Sequence, residues 1–544
     1  MSDLESARLL VTAAQEIVDA AIKYAAVVTE GGAKIDEHQV HTERVTYLAT
    51  QVRAAHELTA TGERLAAAGR PDALLSSEAF IYAAEATQAL STALNAYYDD
   101  FGVDDVAAKL ETFEVRTAIR SGLSEQRIRE LGQARIATGG VNNVELEDEI
   151  ATLTRDLARD FAKNEVVPIA QDIHRQDLLI PESLISKFSE MGFFGSSIPE
   201  EYGGTGMGDL PMIIITEELS QASLAAAGSL ATRPEILSKA LLAGGTEEQK
   251  QEWLPKLASG EVIVAVSVTE PDTGSDSGAV QTRAERAEIN GKQGWVINGA
   301  KAWCTFSGRA NVLAMLVRTD PDTSKGNRGL SLLIVPKDPY YGHEWRHEQP
   351  EGGVITGTAN PTPGYRGMHS FTLAIDNYFV PEENLVGGEG GVNNGFFLQM
   401  GGFAAGRLQT GGRATGVAQA ALEKACQYVV QRKQFGLSLA EFQLTQHRIG
   451  EMSARISAAR QLTYAAARDF NSRGYEAPMA KLLSCDVAVA VTQSAQQLHG
   501  GWGYSEEDPI SRYVVDALVL PIFEGVKPIL ELKVVGAALL RAAK

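Results

Sequence analysis

Only three cysteines occur in the 544 residues, Cys304, Cys426 and Cys485, and they lie far apart. Such spacing offers neither a disulfide framework nor a metal-ligand pair, so a reducing compartment is expected. Positive charge is in deficit too. The formal net charge is −20, which argues against a nucleic-acid or anionic-membrane partner. No apolar run approaches the roughly 20 residues of a membrane span. The N-terminus, MSDLESARLL, lacks both the apolar core of a signal peptide and the Arg-rich pattern of a transit peptide. A cytoplasmic protein is expected. Histidines are scattered, and one stretch, His343 to His347 (HEWRH), matches the zinc pattern HExxH. That pattern works on a helix that puts both imidazoles on one face, with a third ligand nearby. Pro339, Gly342, Pro350, Gly352 and Gly353 flank it, and no third ligand suggests itself, so no metal is expected.

What remains is an ordinary globular mixture, 44% apolar and 22% charged, in a chain long enough for several domains. Residues 1–133 read as an all-helical domain, with apolar positions at helical spacing. A polar, glycine-containing linker follows over 134–144. Residues 145–261 are helical again. Their glycine run from Gly204 to Gly208 has no strand before it and no GK[ST] after it, so it reads as a surface turn. From 262 to 383, β-branched and alternating runs bounded by Gly, Pro, Asn and Asp predict an antiparallel β-domain. It contains a long irregular segment from Lys337 to Met368. Residues 384–544 return to helices long enough for a bundle. The stretch from Gln39 echoes that from Gln443: Arg44 falls on Arg448, Ala54 and Ala55 on Ala458 and Ala459, and Leu58 and Thr59 on Leu462 and Thr463. An ancient duplication and chance likeness between Ala-rich helices both account for this.

Four stretches carry polar chemistry. VSVTEPDTGSDSGA follows a strand and gathers Thr269, Ser275, Asp276 and glycines in one loop, where hydroxyls and backbone N–H groups suit a polar cofactor or a phosphate. KAWCTFSG places Trp303 and Thr305 at a strand end, a ring to lie against a flat cofactor and a hydroxyl for its edge. QRKQFG sets Arg432 beside Phe435, suited to a pyrophosphate and an adenine. QQLHGGWGY brings Gln497, Gly500 and Gly501 together for close backbone approach. Near the end, PIFEG holds one carboxylate, Glu524, in an apolar run, a setting suited to a general base.

With these motifs in this order, the chain from about Glu145 onward resembles the acyl-CoA dehydrogenase family. The resemblance implies a helical domain, a middle β-domain and a C-terminal four-helix bundle, here preceded by the extra helical domain. It implies non-covalent FAD and oxidation of the Cα–Cβ bond of an acyl-CoA thioester. It places Val266, Val268, Thr269, Gly274 and Ser275 around the flavin, with Ser275 also reaching toward CoA. Trp303 and Thr305 lie against the isoalloxazine. Arg432, Gln434, Phe435 and Gln443 contact the adenine-diphosphate half, as part of a neighbouring subunit's site that Gln497, Gly500 and Gly501 complete. Arg407 holds the CoA arm. Glu524 abstracts the α-proton, with Gly525 open to the substrate beside it, and the β-hydrogen leaves as hydride to flavin N5. Some relatives carry the base just before the arginine equivalent to Arg407. Here that position is Gly406, which favours Glu524. After the Glu–Gly pair the family often has Thr and a polar stretch, whereas this chain has Val526, Lys527 and Pro528.

The stretch SLAAAGSLATRPEIL falls where the family lines the far end of the acyl pocket. Arg233 there needs a partner, and a substrate carboxylate or Glu235 would serve. The front domain and the Gly/Pro-rich insert resemble the branch of the family acting on (2S)-methylsuccinyl-CoA. The expected reaction is therefore its conversion to mesaconyl-CoA in the ethylmalonyl-CoA pathway. The alternatives are a general short- or branched-chain acyl-CoA dehydrogenase and, further off, an acyl-CoA oxidase. Expected partners are the acyl-CoA, electron-transfer flavoprotein and further copies of the chain, as a homodimer or homotetramer.

Overall fold

The computed structural model describes residues 1–143, 146, 148–469 and 474–544. The expected domain start at Glu145 lies outside the described residues. The chain forms two compact units, Met1–Leu153 with Thr410–Lys544, and Thr154–Gln409.

The first unit is helical. Its front part contains α1 (Asp3–Val28), α2 (Gln39–Ala67), α3 (Ala73–Phe101), α4 (Phe113–Gly122) and α5 (Glu125–Ala137). Sequence fixes their starts. Ser2 and Glu5 form a capping box on α1, and the side chains of Asp72, Thr112 and Ser124 accept from backbone N–H groups of α3, α4 and α5. Leu10, Val11, Ala14, Ile17, Val18, Ala21 and Ile22 recur at helical spacing along α1 and are buried, each large aliphatic side chain stabilising by about 1.5–3 kcal/mol. The front helices pack on the long C-terminal helices Gln443–Arg468 and Glu476–His499. α5 and Gln443–Arg468 cross at backbone contact. A Cβ on Gly132 would stand 1.8 Å from the Gln446 carbonyl oxygen, and one on Gly450 would stand 2.1 Å from that of Ile128. Glu78, fully buried, accepts from Arg135 Nη2 at 2.6 Å, from Ser457 Oγ at 2.7 Å and from Ser453 Oγ, which joins α3, α5 and Gln443–Arg468. The sequence echo has a structural counterpart, because α2 begins at Gln39 and its partner helix at Gln443.

The second unit carries short helices and an eight-stranded sheet: β1 (Val264–Ser267), β2 (Arg283–Ile289), β3 (Lys292–Thr305), β4 (Val312–Arg318), β5 (Leu330–Pro336), β6 (Glu344–Glu348), β7 (Val354–Ala359) and β8 (Ser370–Pro381). Their order is β1-β4-β2-β3-β8-β7-β6, with β5 paired to β4. Two expectations need correction. The sheet is not wholly antiparallel, since β1 runs parallel to β4. The segment 337–368 is not irregular throughout, since it folds into the β6–β7 hairpin that extends the sheet from β8. Its Gly and Pro residues hide alternation over only five or six residues per strand. Elsewhere the pattern predicts well. β4, VLAMLVR, is buried at every position, as a strand covered on both faces requires. The β2–β3 hairpin turns on Asn290–Gly291, both at positive φ.

Candidate active site

In the second unit, β1 delivers the loop holding Thr269, Gly274 and Ser275. Val266, Val268 and Thr269 are half-buried, while Gly274 and Ser275 are exposed. Beneath the loop lies a buried ion pair that sequence reasoning missed. Lys301 Nζ is 3.0 Å from Glu270 Oε1 and donates to the Val268 carbonyl at 2.9 Å. Glu270 also accepts the backbone N–H groups of Gln281 and Thr282, at 2.7 and 2.8 Å. Burial opposes ionisation of Glu270, but Lys301 and these amides overcome it and hold the carboxyl below its ordinary range. Burial pushes Lys301 down, against the pull of Glu270. The available signal was two opposite charges within the motifs TEP and KAWCT.

Trp303 sits in the register shift between Lys301 and Cys304, where β3 departs from its ladder with β8. It takes φ 58°, and the residue is 58% exposed, uncommon for so large an apolar group. The bulge thus presents a flat face instead of burying it. Thr305, two residues on, bonds through Oγ1 to Ser370 Oγ at 2.9 Å. Arg233 is half-buried, and its Nε donates to the Ser229 carbonyl at 3.0 Å. Glu235, wholly buried, accepts from Ser197 Oγ, and burial raises its carboxyl above the ordinary range. Arg407 is half-buried in the helix Gly395–Gln431.

In the first unit, two motifs are tied together. Arg432 follows the helix Gly395–Gln431, whose Tyr428 stacks on His499 at 4.2 Å and donates to its carbonyl at 3.1 Å. His499 leads directly into Gly500 and Gly501. Substituting a Cβ at either glycine would meet nothing within 4 Å, so the backbone is open to approach. Phe435 and Gly436 form the tip of a small hairpin, both at positive φ. Such a conformation is unusual for a bulky residue, and Phe435 is 94% exposed. Arg432, Gln434, Gln443 and Gln497 are exposed as well.

The same unit holds the Glu524 loop. Glu524 takes φ 54° and Gly525 φ 100°. The turn closes through Lys527 N–H to the Pro521 carbonyl at 3.0 Å. Buried Lys481 donates from Nζ to the Gly525 carbonyl at 2.6 Å. The Arg413 guanidinium lies 4.7 Å from the Phe523 ring centre. Glu524 is half-buried and Ile522 is 61% exposed, so the apolar run around the carboxylate does not enclose it within this chain.

Comparison with known proteins agrees with these motifs. The sequence matches the acyl-CoA dehydrogenase N-terminal domain over residues 148–261, the middle domain over 265–378 and the C-terminal domain over 393–540. The chain belongs to the acyl-CoA dehydrogenase family. It is 38% identical over 505 residues to a (2S)-methylsuccinyl-CoA dehydrogenase of Cereibacter sphaeroides, covering 90% of this chain and 89% of that one. It is 33% identical to the mouse short-chain specific acyl-CoA dehydrogenase, over 71% of this chain and 90% of the other. Butyryl-CoA dehydrogenase of Megasphaera elsdenii superposes with a TM-score of 0.65 at 31% identity, covering 74% of this chain and all of that one. The fold is thus that of an acyl-CoA dehydrogenase with additional N-terminal helices. As a family member it is an FAD-dependent acyl-CoA oxidoreductase. Taken unit by unit, the residues suit parts of such a cofactor: exposed Trp303 a flat ring system, and the open backbone at Gly500 and Gly501 a diphosphate.

Proposed function

We propose that this enzyme oxidises (2S)-methylsuccinyl-CoA to mesaconyl-CoA, as a step of the ethylmalonyl-CoA pathway, with Glu524 as the base. One observation carries the assignment of the base. Glu524 is a non-glycine residue at positive φ, next to a second positive-φ residue whose carbonyl is gripped by Lys481. Strain of this kind persists only when surrounding structure enforces it, and it concentrates at catalytic positions.

In this reading Glu524 takes the α-proton, and its backbone N–H polarises the thioester carbonyl. Ser275 and Arg407 hold the CoA arm. Val266, Val268, Thr269, Gly274, Trp303 and Thr305 hold the flavin ring. Arg432, Gln434, Phe435, Gln443, Gln497, Gly500 and Gly501 hold the adenine-diphosphate half across a subunit boundary. Bound FAD supplies the hydride acceptor that the oxidation requires. Electron-transfer flavoprotein takes the electrons onward, and the enzyme works in the cytoplasm as a homodimer or homotetramer. The substrate assignment is supported by the reach of similarity. The Cereibacter alignment covers 90% of the chain, more than residues 148–544 alone supply, whereas the mouse short-chain alignment covers 71%. Arg233 anchors the second carboxylate, fixing the reacting carbons by position.

A second reading, a general short- or branched-chain acyl-CoA dehydrogenase, is favoured by the Arg233 Nε bond to the Ser229 carbonyl, which gives that side chain a structural use. The base is tested by Glu524→Gln in the purified flavoprotein. Flavin content stays at the wild-type level while the rate of substrate-driven flavin reduction falls by about 10²–10⁴-fold. Reduction at the wild-type rate would remove Glu524 from the mechanism.

A further inference from the structure

The acyl-CoA chemistry makes no use of His343, the first residue of the HEWRH stretch. The structure explains why the pattern fails as written. Residues Glu344–Glu348 are a strand, and His347 turns to the Tyr340 hydroxyl, with Nδ1 at 3.0 Å. His343 instead meets two residues outside the pattern. Its Nε2 is 3.1 Å from Nε2 of His369 and 3.7 Å from Oδ2 of Asp177, and His369 Nε2 is 3.0 Å from Oδ1 of Asp177. Asp177 follows the helix Val167–Arg175, His343 precedes β6 and His369 precedes β8. All three belong to the second unit.

We propose that Asp177, His343 and His369 form a binding site for a divalent transition metal, with zinc, cobalt or nickel as the fitting class. Three arguments lead there. Tetrahedral coordination at zinc–nitrogen distances of about 2.0–2.1 Å sets neighbouring ligand atoms about 3.3 Å apart. That is close to the 3.1 Å between the two imidazole nitrogens and the 3.0 Å from His369 Nε2 to Asp177 Oδ1, while His343 meets the other carboxylate oxygen at 3.7 Å. Protons alone satisfy the cluster poorly. Two imidazole nitrogens face each other and a carboxylate, and a single N–H on His369 Nε2 cannot point at both neighbours, whereas one cation serves all three. The two imidazoles are also borderline ligands that favour such metals over magnesium or calcium.

The surroundings agree. His369 is buried, while Asp177 and His343 are 46% and 49% exposed, so an ion enters from solvent and keeps a position open to water. The nearby cation is Arg366, whose Nε is 3.5 Å from Asp177 Oδ1. Its hydrogen bonds go to the carbonyls of Thr362 and His174, at 3.2 and 3.1 Å. A bound metal would pin the β6–β7 hairpin to the loop after Val167–Arg175.

The test uses the full-length flavoprotein after chelator treatment, dialysed to equilibrium against zinc, with cobalt as a spectroscopic probe through its d–d bands. The site predicts about one zinc per chain. Affinity falls at least about tenfold in His343→Gln and in Asp177→Asn, while flavin content is unchanged. His343 is half-exposed, so its variant keeps the fold, and wild-type flavin absorbance verifies this. Zinc uptake equal in wild type and both variants, or none in wild type, overturns the proposal and leaves a hydrogen-bonded His–His–Asp cluster.

Discussion

The ammonium of Lys527 lies 4.5 Å from the centre of the Tyr47 ring, which joins the Glu524 loop to the front helical domain. Both residues also meet on one carboxylate, with Lys527 Nζ 2.6 Å from Asp486 Oδ2 and the Tyr47 hydroxyl donating to the same oxygen at 2.5 Å. Lys527 stands where the family often has a polar stretch after the Glu–Gly pair. Here that position is given to an anchor on α2.

If this anchor positions the loop, Tyr47→Ala loosens Glu524 without touching the flavin. Turnover falls about tenfold or more while KM and flavin content stay near wild type. Steady-state kinetics beside a flavin absorbance spectrum checks this. A variant with wild-type turnover would show that the front domain does not set the loop.

Glu531, one turn past Lys527, gives a pH prediction. Burial pushes its carboxyl up to about 7, with Lys527 opposing and Glu43 and Asp486 adding to the rise. A raised carboxyl binds its proton more tightly when folded. Its stabilisation is therefore complete below the ordinary 4.5 and is lost as pH rises through about 7. The loss is at most about 3 kcal/mol, reduced by solvent screening. Thermal melts from pH 5 to 8 show wild type losing stability relative to Glu531→Gln across that window, and parallel curves would contradict it.

Charge pairs in the first unit are unequal. Glu78 and Arg135 are 0% and 7% exposed, so Glu78→Gln leaves a buried guanidinium short of its partner and costs about 3 kcal/mol. Glu85 and Arg455, 30% and 35% exposed, form a screened pair, and Glu85→Gln costs about 1 kcal/mol or less. Chemical denaturation of both variants distinguishes the two, and equal losses would contradict the ranking.

Much of this was legible in the sequence because the signals are local. The Asn290–Gly291 turn, the unbroken apolar run Val312–Val317 of β4 and the helical spacing of α1 each need only their own residues. The site motifs were legible for the same reason. What the sequence hid depends on tertiary approach. Nothing near Gly132 or Gly450 tells that two helices touch there through backbone. Glu78 reads as one more surface acid of an Ala-rich helix until Arg135, Ser453 and Ser457 surround it. The partners of His343 lie 166 and 26 residues away in the chain, at Asp177 and His369, which no spacing rule anticipates. The β6–β7 hairpin escaped because its strands are short and its flanks rich in Gly and Pro.

The central claim is the substrate, and an anaerobic titration of the purified flavoprotein with (2S)-methylsuccinyl-CoA tests it most directly, with flavin absorbance as the readout. The account predicts prompt bleaching at near-stoichiometric substrate, and a requirement for at least about tenfold more in Arg233→Ala, which loses a bidentate carboxylate partner. Bleaching by butyryl- or isobutyryl-CoA but not by (2S)-methylsuccinyl-CoA would contradict it.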